Sequence, residues 1–318
     1  MVSTTSSVRT TTPAPGALPL LPAAAFVVVW CSGYIAGPAG VAAIDPFTVL
    51  TLRFLVASVV MVALARWLRG PLRIPGPVLR RIALVGLMMN GVVFALMYLA
   101  FAEGMGATLG ALLHSLSPVL TALLAGVVLG ERLSRLQVVG FVLGVVGVLV
   151  VLGPDVDQAG GSLGVVLGVL SLVGLSLGTL GQRWYAADER HEAPDPLWAA
   201  TVQFAVCVPP LAVLALALEG VHTVHDPLPG ALAVLWMALV NSVVGLLLLG
   251  LLVRRGGAGA SASLFFVCPP VTALMAWAAF GDTLDAREGV GIVVTVLGVA
   301  IATGVFRRSP AAPAPERV

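Results

Sequence analysis

Long apolar runs separated by short polar connections dominate this chain. Ten of them recur, at residues 18–38, 47–68, 82–102, 106–129, 136–152, 162–182, 197–218, 229–252, 257–280 and 287–306. A helix rises ~1.5 Å per residue, so runs of this length cross a hydrocarbon core of about 30 Å. The runs are continuous rather than alternating, which excludes the strands of a membrane barrel. The pattern predicts an all-α integral membrane protein with ten transmembrane helices. Residues 18–38 carry Trp30 and Tyr34 well past any small-residue cleavage point, so they read as a retained first helix rather than a signal peptide. The Ser-, Thr- and Pro-rich residues 1–17 and the Pro- and Ala-rich residues 307–318 are expected to be disordered cytoplasmic tails.

Positions inside the runs also form a repeat. At an offset of about 151 residues, Gly106, Pro118, Thr121, Leu123, Gly130, Leu133, Gly140 and Gly147 fall without a gap on Gly257, Pro269, Thr272, Leu274, Gly281, Leu284, Gly291 and Gly298. The same offset pairs Asn90 with Asn241, and one residue less pairs Pro46, Thr51 and Phe54 with Pro196, Thr201 and Phe204. The two copies, residues 18–152 and 162–306, hold five runs each. Five is odd, so the second copy enters the membrane from the opposite face. The expected architecture is two inverted five-helix repeats, the plan of many secondary transporters.

Composition narrows the class. With 59% hydrophobic and 10% charged residues among 318, and a mean hydropathy of +1.05, too little polar surface remains for a soluble domain. All 17 basic residues are arginine and the formal charge is only +2, so no nucleic-acid partner is expected. Every arginine except Arg53 and Arg287 lies in a tail or in a loop on one side, between runs 2 and 3, 4 and 5, 6 and 7, or 8 and 9. The other side carries Asp45, Glu103, Asp155, Asp157, Glu219, Asp226, Asp282, Asp285 and Glu288. Under the positive-inside rule this asymmetry puts both termini in the cytoplasm, with ten spans in the plasma membrane of a prokaryote.

Cys31, Cys207 and Cys268 all lie inside apolar runs, which argues against a disulfide framework or a zinc site. No cofactor, metal or catalytic residue is read from the chain. Residues 174–178 spell Gly-x-Ser-x-Gly, but inside an apolar helix with no strand before it. The connections are short, so function falls to the helices.

A polar side chain at mid-span is costly unless it meets a cavity or another helix. Asn90 and its mate Asn241, followed by Ser242, either lock helices together or line a substrate path. In the fourth run His114, Ser117, Pro118 and Thr121 share one helical face, and Pro118 frees the carbonyl of His114 because it has no amide N–H. The ninth run repeats the device with Ser261, Phe265, Cys268, Pro269 and Thr272, where Pro270 frees a second carbonyl. Paired interruptions in corresponding helices point to a substrate site, the alternative being kinks absorbed by neighbouring helices.

Further candidates lie in the first three runs and at helix ends. Trp30 and Tyr34 share a face of the first run, and Tyr98 lies toward the outer end of the third. Trp30 is deep enough for a cavity wall or a packed core. Arg53, whose mate is Gln203, either snorkels to the outer surface or contacts substrate. Glu131 can pair with Arg135 one turn on, and its mate is Asp282; both read as helix-end anchors. His114 is the histidine placed deep in a span, and proton uptake there would couple transport to the proton gradient.

The ten-span repeat, the Trp30-Cys31-Ser32-Gly33 stretch, the run from Pro46 to Arg53, and Ser117-Pro118-Val119-Leu120-Thr121-Ala122-Leu123 leading to Leu129-Gly130-Glu131-Arg132-Leu133 and Gly140 resemble the EamA-type drug/metabolite transporter superfamily. The resemblance covers roughly residues 20 to 306. It implies export or exchange of small polar metabolites such as amino acids through a central cavity between the repeats, without ATP hydrolysis. The second copy departs from it, with Asp282 where the family commonly has glutamate and Gln203 in the place of Arg53. The expectation is a secondary transporter working by alternating access, its cavity lined by runs 1, 3, 4, 6, 8 and 9. Its expected partners are a small-molecule substrate and membrane lipid, and no oligomeric state is assigned. The rivals are a lipid or sugar-phosphate flippase, for which Arg53 would supply the groove charge, and an intramembrane serine hydrolase using Ser176 with His114.

Overall fold

The computed structural model describes residues 18–130, 134–153, 160–186, 194–281 and 284–303. The two tails, Glu131 and Asp282 lie outside the described residues. Ten helices among them are long and apolar enough to span a membrane: α1 (Leu20–Ala43), α2 (Pro46–Arg69), α3 (Gly76–Ala102), α4 (Ala107–Val128), α5 (Arg135–Leu152), α6 (Gly161–Tyr185), α7 (Pro196–Glu219), α8 (Pro227–Gly257), α9 (Ser261–Phe280) and α10 (Ala286–Thr303). The chain is an all-α, multi-pass membrane protein of ten spans. Some helices outrun the apolar runs that announced them. α3 begins before Arg80, and α8 runs on through Arg254 and Arg255. Hydropathy marks where lipid ends, whereas backbone hydrogen bonding continues into the polar interface.

Three stretches have wide turns in which each N–H reaches back five residues: Leu87–Val92 in α3, Ala215–Glu219 in α7 and Trp236–Val244 in α8. The first and last hold the mates Asn90 and Asn241. Such turns often mark functional positions, and apolar periodicity does not distinguish them from ordinary helix. α4 breaks at Leu116, between Ala107–Ser115 and Ser117–Leu129. Its mate in α9, Val267, closes a 3₁₀ turn (Leu264–Val267) before the helix restarts at Cys268. In both spans proline then occupies the first turn, where the missing N–H costs nothing.

Packing partners are exchanged between the copies. α1 lies against α8 and α9, and its mate α6 lies against α3 and α4; α2 meets α7, α4 meets α9 and α5 meets α10. The α5–α10 seam is the closest. A Cβ added at Gly140 would strike the backbone of Gly298 and Ala302, and one at Gly147 would strike Thr295 and the Gly291 carbonyl. Gly291 and Gly298 reciprocate against Gly147, Val151, Gly140 and Gly144. Of the glycines that match at the repeat offset, Gly140 with Gly291 and Gly147 with Gly298 are the ones that let two backbones touch. Outward faces carry Val59, Val127, Leu149 and Val293, apolar side chains suited to lipid.

Candidate functional site

A cation sits inside the bundle. Arg53 on α2 is 3% exposed. Its Nη1 donates to the Tyr98 hydroxyl at 2.8 Å, Nη2 to Asn241 Oδ1 at 3.0 Å, and Nε to Ser242 Oγ at 3.1 Å. The guanidinium carbon also lies 4.5 Å from the Phe94 ring centroid and 5.3 Å from that of Phe54. No carboxylate among the described residues pairs with it. Neutral oxygens and aromatic faces replace the water lost on burial, which is what an unpaired cation at this depth requires. The side chain therefore turns inward, and the expectation that Arg53 snorkels to the surface is corrected. Nor does it line a lateral groove of the kind a flippase reading needs.

The cluster joins the two repeats. Asn241 donates from Nδ2 to the carbonyls of Val29, at 3.0 Å, and Trp30, at 3.2 Å, on α1. Gly33 makes room for it, because a Cβ there would lie 2.6 Å from that nitrogen. Ser242 donates to the Met237 carbonyl at 2.9 Å, and Tyr98 donates to Met237 Sδ at 2.8 Å. α1, α2, α3 and α8 are thereby tied together. The same end is latched further out. Glu219 accepts from Phe47 N, at 2.6 Å, and from Thr48 N and Oγ1, Ile44 bridges to Val224, and His225 Nε2 lies 2.9 Å from Asp45 Oδ1.

The repeat mates make no such cluster. Asn90 and Gln203 are half-buried, and their side chains form no hydrogen bond with the described residues. Gln203 nevertheless packs directly on α3, since a Cβ at Gly86 would lie 2.5 Å from its Cα. Asn90 and Asn241 thus differ, one committed and one free.

His114 heads a second polar chain, through α1, α4, α6 and α3. Its Nδ1 is 3.0 Å from the Tyr34 hydroxyl and its Nε2 is 2.9 Å from Ser171 Oγ, which itself donates to the Val93 carbonyl at 2.8 Å. Because the Ser171 proton is spent on Val93, Ser171 accepts from Nε2–H and Tyr34 donates to Nδ1. The arrangement is complete for an imidazole protonated on Nε2. His114 does not bond Ser176. That serine is fully buried, donating to the Leu172 carbonyl at 2.9 Å with its Oγ 3.2 Å from Ser117 Oγ, so the His114–Ser176 pair of the hydrolase reading is not formed.

Other candidates settle into packing. Ser117 and Thr121 face α6, where Thr121 Oγ1 lies 3.4 Å from the Ser176 carbonyl. Trp30 packs edge-on against Phe265 at 5.1 Å between ring centroids, binding α1 to α9. Ser261 bonds back to the Gly257 carbonyl at 2.9 Å, Pro269 is buried, and Thr272 Oγ1 is buried without a partner. Ser171, Phe54 and Phe94 were not anticipated. A lone mid-span serine was the available signal for the first, while the two rings looked like any other apolar positions.

A cavity of about 300 Å³ opens beside the interruption of α4. Pro118, Val119 and Ala122 form one wall; Phe266, Ala262 and Ala302 supply apolar surface from α9 and α10; Gln137, Arg183, Ser263 and Thr303 are its polar rim. These rim residues belong to the arginine-rich ends of α5, α6, α9 and α10. Its lining comes from α4, α5, α6, α9 and α10.

A ten-helix bundle with two of its helices interrupted at mid-span has a match among known proteins. The EamA-like transporter family model fits residues 18–153 and 162–304. This chain belongs to the EamA-like transporter family. Among relatives of this EamA-like protein is the "Probable amino-acid metabolite efflux pump" of Salmonella typhimurium, 25% identical over 88% of this chain and 93% of its own. The "Uncharacterized inner membrane transporter YedA" of Escherichia coli is 25% identical over 88% of each chain. The "Uncharacterized transporter YyaM" of Bacillus subtilis is 27% identical over 62% of this chain, a match spanning 65% of that relative's length. A solved crystal structure superposes with a TM-score of 0.62 at 20% identity, covering 91% of this chain and 98% of its own, and shares the fold. Membership places the protein among membrane transporters of small molecules.

Proposed function

We propose that this EamA-like protein is a secondary transporter, an exporter or exchanger of small polar metabolites such as amino acids, working by alternating access of two inverted repeats. It lies in the plasma membrane of a prokaryote with both termini cytoplasmic, in keeping with the arginine placement. The observation that carries this reading is the pair of interrupted helices, α4 at Leu116 and α9 at Val267, flanking a cavity of about 300 Å³. Broken helices at membrane depth are tolerated where they line a path, and this volume suits a small metabolite. Pro118 and Phe266 bound the apolar part of the path, while Arg183, Gln137 and Thr303 supply polar contacts at its mouth. A catalytic role has no comparable support, because Ser176 is enclosed and apart from His114. The proton-coupling reading rests on the Tyr34–His114–Ser171 chain, which would be rewired when His114 takes a second proton.

The test is an untargeted comparison of metabolites in the medium of cells with and without the protein, followed by flux of the enriched compounds in vesicles. Enrichment of a defined set of small polar compounds, lost in Pro118→Ala and Pro269→Ala at normal membrane abundance, is expected. Identical media, with no compound moved by the purified protein in vesicles, would overturn the reading.

A further inference from the structure

The two copies of the repeat carry equivalent polar sets that are chemically unequal. At the acidic end Arg53 reaches from the first copy to Asn241 and Ser242 of the second, and Asn241 continues to the α1 backbone. Exchanging the copies maps Arg53 onto Gln203, Asn241 onto Asn90 and Ser242 onto Gly91. The same exchange maps α1 onto α6, whose Gly178 packs on Met89 as Gly33 packs on Asn241. In this conformation the first set is closed and the second is unmade: Asn90 and Gln203 have no side-chain partner among the described residues. The cavity lies at the arginine-rich ends of the helices, as expected if the opposite end is the closed one.

We propose that Arg53–Asn241–Ser242 and Gln203–Asn90 are the two alternating gates of the transport path, and that the arginine–glutamine difference sets which end rests closed. This rests on the alternating-access reading above. In the opposite state Asn90 donates to backbone carbonyls of α6 and accepts from the Gln203 amide, as Asn241 now does with α1 and Arg53. Gln203 needs little displacement for this, because Gly86 already lets α7 close on α3. The closures differ in strength. Arginine offers a charged group with five N–H donors, three of which are used here by Tyr98, Asn241 and Ser242, whereas glutamine offers an uncharged amide with two. Gly91, in the place of Ser242, removes one more acceptor. The acidic end is therefore the stable closure and the resting state.

The experiment measures distances between spin labels on the full chain in lipid, one pair at each end. Ala42→Cys with Val221→Cys reports the acidic end, and Pro71→Cys with Trp184→Cys reports the arginine-rich end. The three native cysteines are buried. In the native background a short acidic-end distance and a long arginine-rich-end distance should dominate. Arg53→Gln makes the gates alike and should lower the ratio of the two states by about tenfold. The swap Arg53→Gln/Gln203→Arg should invert the native majority, and Gln203→Arg alone, which keeps the Arg53 cluster, should move the balance the same way. A folded swap variant that keeps the native majority overturns the gate assignment while leaving alternating access standing. Distances that lengthen and shorten together at the two ends in every variant overturn alternating access, and the gates with it.

Discussion

Between α5 and α10 the two copies of the repeat meet through equivalent residues. Gly140 and Gly147 touch Gly298 and Gly291, and the mates Gly144 and Thr295 face each other, with Thr295 Oγ1 3.4 Å from the Gly144 carbonyl. Around Arg53 the copies meet through residues that have diverged: Arg53 bonds Asn241, whereas its mate Gln203 packs on Gly86 and bonds no side chain among the described residues. The seam has one arrangement that works in both directions, so the repeat keeps it. In the gate proposal the Arg53 cluster favours one end of the path over the other, which identical halves cannot do. Scaffold and control are thus separated within one duplicated sequence, the first in what the copies share and the second in what they do not.

Breaking the seam should have the largest effect. Gly140→Leu or Gly147→Leu drives a side chain into backbone that cannot retreat, and overpacking of this kind costs upwards of about 1–3 kcal/mol. Membrane abundance should fall several-fold, measured by quantitative immunoblotting, while Gly106→Ala, which meets nothing within 4 Å, should leave it unchanged.

Arg53→Leu should spare abundance more and transport less. It strips the donor from Tyr98, Asn241 and Ser242, contacts to a charged group that are worth about 1.5–3 kcal/mol in buried settings. Flux should drop by about tenfold or more. Asn90→Leu removes a side chain that is free in this conformation, so it should leave thermal stability unchanged and still slow transport. Equal effects of Arg53→Leu and Asn90→Leu on stability would erase the contrast between the gates.

The smallest effect is expected at His114. Replacement by glutamine keeps a donor and an acceptor for Tyr34 and Ser171 but cannot titrate. Flux in vesicles should persist, with the dependence of the native protein's flux on pH flattened. An unchanged pH profile would confine His114 to tying α1, α4 and α6 together.

Ten spans and the repeat were legible because lipid imposes a long apolar run on each crossing and because shared glycines preserve the seam. The interruptions of α4 and α9 were readable from Pro118, Pro269 and Pro270, since a proline inside an apolar run removes a backbone N–H and favours a restart of the helix with the proline in its first turn. Arg53 was not, because depth in a helix does not say whether a long side chain reaches outward to water or inward to Tyr98 and Asn241. The wide turns around Asn90 and Asn241 were also hidden, as they change backbone hydrogen bonding without changing hydropathy.

The account stands on the acidic end opening and closing during transport. Ile44 and Val224 form an isolated antiparallel bridge across that end, a spacing that a disulfide can span. Ile44→Cys/Val224→Cys should therefore crosslink on oxidation, and flux of the enriched metabolites in vesicles should stop when the bond forms and return when it is reduced. Full flux through the crosslinked protein would contradict the account.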